Sequence, residues 1–161
     1  MIQIFDNFFD TENDLKFVTN VCYNGKFHFG EVDRPETPPT GLIYEIQDNS
    51  QLWDLVENQI ERKILTVKNK QIYRMYVNCF APSENPYFHR DGYSGYTFLF
   101  YPIVTWEIDE GGETQFFVNN EIKGVLPIPN RAVLFSADIL HRATSFRSKH
   151  RFTLAVKYND H

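Results

Sequence analysis

The sequence predicts a mainly β domain, a jelly-roll barrel of two facing sheets with helices on one outer face. Aromatic residues make up 16% of the 161-residue chain, with 15 Phe and 9 Tyr, a bias toward pleated, half-buried surfaces. Beyond Lys70, short apolar runs follow one another between turn signals, as in all-β chains. The two segments that read as helices both precede that point.

Residues 2–5 read as a short strand. Thr11-Glu-Asn-Asp14 resembles a capping box, with Asp in the place of Glu, before a short helix through Val21. Residues 31–40, Glu-Val-Asp-Arg-Pro-Glu-Thr-Pro-Pro-Thr, form an extended, proline-rich loop, and 42–46 a strand. Ser50 caps a second helix whose Leu52, Trp53, Val56, Ile60 and Ile64 fall on one face, so it buttresses the sheet. The remaining strands are 72–80, 96–101, 115–118, 124–126, 132–135 and 151–158. Together they suffice for a double-stranded β-helix (jelly-roll, cupin-like) barrel with a ligand cavity at its mouth. The expected organisation is one domain over 1–161. Residues 1–70 supply helices and supporting strands, and 71–158 form the core barrel that carries the site.

A formal net charge of −5 argues against a broad phosphate-binding surface and so against nucleic acid as the main partner. No stretch has the length of a membrane span, and the N-terminus lacks the basic and apolar regions of a signal peptide. Cys22 and Cys79 form no disulfide framework. A reducing, cytoplasmic setting is expected.

Chemistry concentrates in His89-Arg90-Asp91, His141 and Arg151. Two imidazoles and a carboxylate can occupy one face of an octahedral metal and leave the other open, the arrangement that suits non-haem Fe(II) oxygenases. Two residues apart on a strand, His89 and Asp91 would point to the same side. His141 reaches the same metal only if the sheet curls back. Arg151 opens an otherwise apolar run; a guanidinium buried there needs a partner, which a carboxylate gripped by two parallel hydrogen bonds would supply. The competing role for Arg151 is a structural salt bridge, and for His141 a strand-end histidine bonded to backbone. His150 is a rival ligand that should face the other side of its strand, while His28 and His161 read as solvent residues. His-Arg-Asp also occurs in the protein-kinase catalytic loop, where an Asn follows at a fixed distance. Tyr96 stands there, no Gly-rich loop precedes it, and the chain is too short.

From residue 72 to 158 the chain resembles the iron(II)/2-oxoglutarate dioxygenases, within them the prolyl 4-hydroxylase-like branch. Besides the ligand order, the matching segments are Tyr73-Arg-Met-Tyr-Val-Asn78, Tyr96-Thr-Phe-Leu-Phe-Tyr101 followed by Trp106, Gly111-Gly-Glu-Thr114, and Asn130-Arg-Ala-Val-Leu-Phe135. The resemblance implies Fe(II) held by His89, Asp91 and His141, with 2-oxoglutarate and O2 as cosubstrates and ascorbate as reductant. It implies that Arg151 and Tyr101 hold the distal carboxylate of 2-oxoglutarate, with Thr114 lining the pocket and Arg90 and Trp106 near the substrate. Where oxygen-sensing prolyl hydroxylases carry a Tyr before the metal motif, this chain has Phe80, which removes a hydrogen bond near the keto acid or shifts it to Tyr76. Gly111 and Gly112 are first of all turn residues needing positive φ. The implied reaction is hydroxylation of an unactivated C–H bond, releasing succinate and CO2. A prolyl residue in a peptide or protein is the first substrate class, with loop 31–40 closing over it. The alternatives are hydroxylation of a free amino acid or other small metabolite, and a non-catalytic metal- or ligand-binding jelly-roll module. A nucleic-acid demethylase would need a basic groove, which the acidic composition disfavours.

Overall fold

Side chains alternate across a strand with period 2, so each long apolar run in this chain must be covered on both faces. The computed structural model describes residues 1–160, leaving His161 outside, and meets that demand with two sheets and two α-helices. In chain order these are β1 (Ile2–Phe5), α1 (Glu12–Tyr23), β2 (His28–Phe29), β3 (Leu42–Glu45), α2 (Gln51–Lys63), β4 (Ile72–Phe80), β5 (Tyr96–Phe100), β6 (Thr114–Val118), β7 (Glu121–Val125), β8 (Ala132–Ser136), β9 (Leu140–Ala143) and β10 (Arg151–Tyr158). The larger sheet runs β1-β8-β5-β10-β4-β3-β2 and the smaller β7-β6-β9, with antiparallel pairing throughout.

Register assigns the faces of the larger sheet. Leu154, Val156, Phe98, Phe100, Leu134, Met75 and Val77 face the helices, where Phe8, Val18, Val56 and Ile60 complete one core. Burying each such side chain contributes roughly 1.5–3 kcal/mol. The opposite row holds Arg151, Thr153, Ala155 and Lys157 on β10 against Phe80, Asn78, Tyr76 and Arg74 on β4. Tyr76 and Ala155 of this row belong to a second core with Phe116 of the smaller sheet. The expected helix caps are present: Thr11 Oγ1 accepts from Asp14 N at 3.1 Å and Ser50 Oγ from Trp53 N at 3.2 Å.

The structure adds two strands to those expected. β2 and β9 are two and four residues long and owe their extended form to partners β3 and β6, which local sequence does not reveal. β7 begins three residues before the expected 124, because Asn119 and Asn120 both take positive φ (53° and 62°) and close a tight hairpin directly after β6. Gly111 and Gly112 also have positive φ (68° and 81°), as the turn required. A Cβ at Gly112 would stand 2.2 Å from the Phe146 ring. Cys22 and Cys79 are both buried and free. Among the described residues no helix is long and apolar enough to cross a membrane.

Candidate active site

After β4 the chain returns alongside β9, held by a single two-residue bridge rather than the regular strand expected for His89 and Asp91. His89 N donates to His141 O and His141 N to His89 O, each at 2.9 Å, while Asp91 N donates to Ala137 O at 2.9 Å. This pairing across 52 residues of sequence sets the two imidazoles side by side, ring centroids 4.5 Å apart. His89 Nδ1 lies 3.0 Å from Tyr87 O and His141 Nδ1 2.8 Å from Ile139 O. A carbonyl only accepts, so both Nδ1 atoms carry a proton, and in the neutral rings Nε2 keeps the lone pair, the orientation by which a histidine ligand is normally fixed.

Both Nε2 atoms face one carboxylate. His89 Nε2 is 3.5 Å from Asp91 Oδ1 and His141 Nε2 3.5 Å from Asp91 Oδ2, and the three residues offer donor atoms within 4.8 Å of one another. Donors at about 2.1 Å from a metal and at right angles are about 3 Å apart, so a small inward adjustment would bring all three into contact with one ion. Burial pushes His141 down to about 4, making it a neutral imidazole near pH 7. Burial also opposes charge on His89, but hydrogen bonding to Asp91 and its charge outweigh this and raise the pKa. Asp91 is driven the other way: burial would raise it, but the Lys157 ammonium and the two imidazoles hold it well below the usual carboxylate range.

Arg151 lies deeper on the same strand face and is 1% exposed. Its Nε donates to Gly112 O at 2.8 Å, Nη1 to Thr153 Oγ1 at 2.6 Å and Nη2 to Thr114 Oγ1 at 3.0 Å. Tyr101 OH is 2.8 Å from Thr114 Oγ1. Every one of these partners is neutral. The structural salt bridge considered for Arg151 does not form among the described residues; Glu113 acts on it only at longer range, and burial lowers its pKa.

One cavity of about 230 Å³ is lined by Thr114, Arg151 and Thr153, by the three candidate ligands, and by Tyr76, Phe80 and Lys157. Its mouth carries Arg74, Arg90 and the Glu31, Val32, Asp33 and Thr40 side of loop 31–40. That loop is tied down: Glu31 pairs with Arg74 at 2.9 Å, and Asp33 Oδ2 accepts from Tyr87 N at 2.7 Å. Arg90 is exposed and donates to Asp138 O. Trp106 is not among the cavity-lining residues; its indole N–H donates to Gly111 O at 2.9 Å. Tyr76 is buried with the Arg74 guanidinium 4.2 Å from its ring centre. His28 and His150 are exposed and outside the cluster. Sequence reasoning missed Thr153, Lys157 and Thr97. The first two follow from counting by twos from Arg151 along β10; Thr97 has no such signal.

No protein-family model and no curated protein sequence matches the chain. Solved structures do resemble it. A prolyl 4-hydroxylase of Pseudomonas putida superposes with a TM-score of 0.81 at 12% identity, covering 99% of this chain and 92% of that one. A 2OG-Fe(II) oxygenase family oxidoreductase of Burkholderia pseudomallei gives 0.78 at 11%, covering 99% and 85%. A Trichoplax adhaerens prolyl hydroxylase, in complex with a hypoxia inducible factor oxygen degradation domain peptide fragment, gives 0.76 at 22%, covering 99% and 83%. The chain therefore has the double-stranded β-helix fold of these oxygenases.

Proposed function

We propose that the protein is an Fe(II)- and 2-oxoglutarate-dependent dioxygenase that hydroxylates an unactivated C–H bond, with a prolyl residue of a peptide or protein as substrate. The observation that carries the reading is a pairing inside one cavity: three lone-pair donors facing one point, and a buried guanidinium with only neutral partners. His89, Asp91 and His141 would hold the iron, and a donor set on one face leaves the opposite face for cosubstrate. Bound Fe(II) would supply O2 activation coupled to decarboxylation of 2-oxoglutarate to succinate and CO2, with ascorbate as external reductant. The chain's own groups do the rest. Arg151, Thr114 and Tyr101 would grip the distal carboxylate, and Arg151 brings two parallel donors to it. Leu99, Phe80 and Ala143 wall the cavity and exclude water around the reacting bond. Phe80 offers no hydroxyl, leaving Tyr76 as a buried phenol in the cavity wall.

Likeness in fold to two prolyl hydroxylases supports the prolyl substrate, and loop 31–40 stands where it could cover an extended peptide. Free amino acids or other charged metabolites are the second reading, favoured by the charged mouth formed by Glu31, Asp33, Arg74 and Arg90. The proposed unit is a single domain in a reducing compartment. The test is succinate formation from 2-oxoglutarate and Fe(II) under air, with and without proline-containing peptides, beside His141→Ala and Arg151→Ala. Turnover raised by peptide and lost in both variants is the expected result. Turnover indifferent to peptide would shift the substrate to a metabolite. No succinate from iron-loaded, folded protein would leave a binding module.

A further inference from the structure

A second buried cation faces this cavity, and the reaction just proposed gives it no role. Lys157 ends the row Arg151, Thr153, Ala155 on β10 and is 6% exposed. Its ammonium is bound to Asp91 Oδ2 and donates to Thr97 Oγ1 at 3.2 Å. Thr97 Oγ1 donates to the same Oδ2 at 2.5 Å. Two donors thus occupy one carboxylate oxygen and leave Oδ1 facing His89. We propose that Lys157 is a positioning residue and the internal counter-cation of the metal site: it neutralises Asp91 in the metal-free chain and, with Thr97, offers only Oδ1 to an incoming metal. This rests on the metal-site reading given above.

A buried carboxylate without a counter-charge is strongly destabilising, so the ammonium holds the site together before a metal binds. Once a dication enters, the ammonium stays beside it in a medium that screens charge poorly. The two cations repel, and metal affinity is held below what the three donors alone would give. In exchange, Asp91 cannot swing to bind through both oxygens, which keeps a metal position open. The added positive charge also favours a dianion such as 2-oxoglutarate beside the metal.

The experiment uses Mn(II) as the probe on wild type, Lys157→Met, Lys157→Arg, Thr97→Val and a His141→Ala control. Calorimetric titration gives Mn(II) affinity, thermal melts with and without Mn(II) give the metal-induced shift, and a second titration gives 2-oxoglutarate affinity of the loaded protein. Lys157→Met should melt lower without metal and gain more from Mn(II) than wild type. It should bind Mn(II) about tenfold tighter or more, yet bind 2-oxoglutarate more weakly once loaded. Lys157→Arg should keep the wild-type pattern, and Thr97→Val should move in the direction of Lys157→Met by less. If Lys157→Met does not fold without metal, Thr97→Val carries the comparison. Unchanged or weaker Mn(II) affinity in every variant that folds would overturn the inference. Wild type indistinguishable from His141→Ala would remove the metal reading itself, and this inference with it.

Discussion

Arg151 and Lys157 are two buried cations on one face of one strand, six residues apart, and they differ in what answers their charge. Lys157 has a carboxylate inside the protein, and the Asp91 and Tyr76 groups raise its pKa against the pull of burial. Arg151 has two threonine hydroxyls and a carbonyl, and its pKa is lowered by burial. A buried cation that is neutralised from within is part of the scaffold. On the function proposed above, one that is hydrogen-bonded but not neutralised would serve as a receptor for an anion, whose binding would offset the cost of its burial.

The contrast is broken most severely at Asp91. Asp91→Ala leaves Lys157 buried and uncompensated, which should cost about 3–5 kcal/mol of metal-free stability, read by chemical denaturation. Metal binding should vanish with it. Arg151→Met is the matching change at the other cation and should behave oppositely in the ligand-free chain, leaving stability equal or higher because no internal anion is orphaned. Its effect falls on cosubstrate: truncating one side of a buried charge pair costs about 2–5 kcal/mol, or roughly 30- to several-thousand-fold in 2-oxoglutarate affinity. A large loss of ligand-free stability in Arg151→Met would show that the guanidinium is scaffold after all.

A finer change tests whether the threonines hold the place of an anion. Thr153→Val removes the partner of Nη1 and should cost about 1.5–3 kcal/mol without ligand. Part of that should return when 2-oxoglutarate binds to the metal-loaded protein, since a carboxylate oxygen can take over the orphaned donor. The thermal shift on adding 2-oxoglutarate should therefore exceed that of wild type. An equal shift would mean that Thr153 does not share its donor with the ligand.

Much of this pair was legible beforehand, and the limits are physical. The full lengths of β4 and β10 follow from apolar runs bounded by turn signals, and Arg151 stood out because it interrupts one. Thr153 and Lys157 lie on the Arg151 face by simple alternation, and only the lack of a reason to look at that face hid them. The ion pair of Lys157 with Asp91 could not be read, since it depends on two strands and a loop meeting across 66 residues of sequence. β9 was invisible for the same reason: Leu140–Ala143 is extended because β6 and His89 pair with it, not because of its own composition. Side-chain direction in turns is the least legible of all, as Trp106 illustrates.

Trp106 gives the smallest and most local of these tests. The family resemblance placed it near substrate, but the chain folds its indole N–H onto Gly111 O, in the turn whose next carbonyl, Gly112 O, accepts from Arg151 Nε. The indole thus braces the backbone that the guanidinium leans on. Trp106→Phe keeps the ring's packing against the second core and removes only that donor. It should cost about 0.5–1.5 kcal/mol of stability and weaken 2-oxoglutarate binding slightly, by relaxing the Gly111-Gly112 turn beneath Arg151. Substrate KM should stay where it is, because the ring lies outside the cavity wall. A KM that rises while 2-oxoglutarate affinity holds would return Trp106 to the substrate side and separate the turn from the anion receptor it supports.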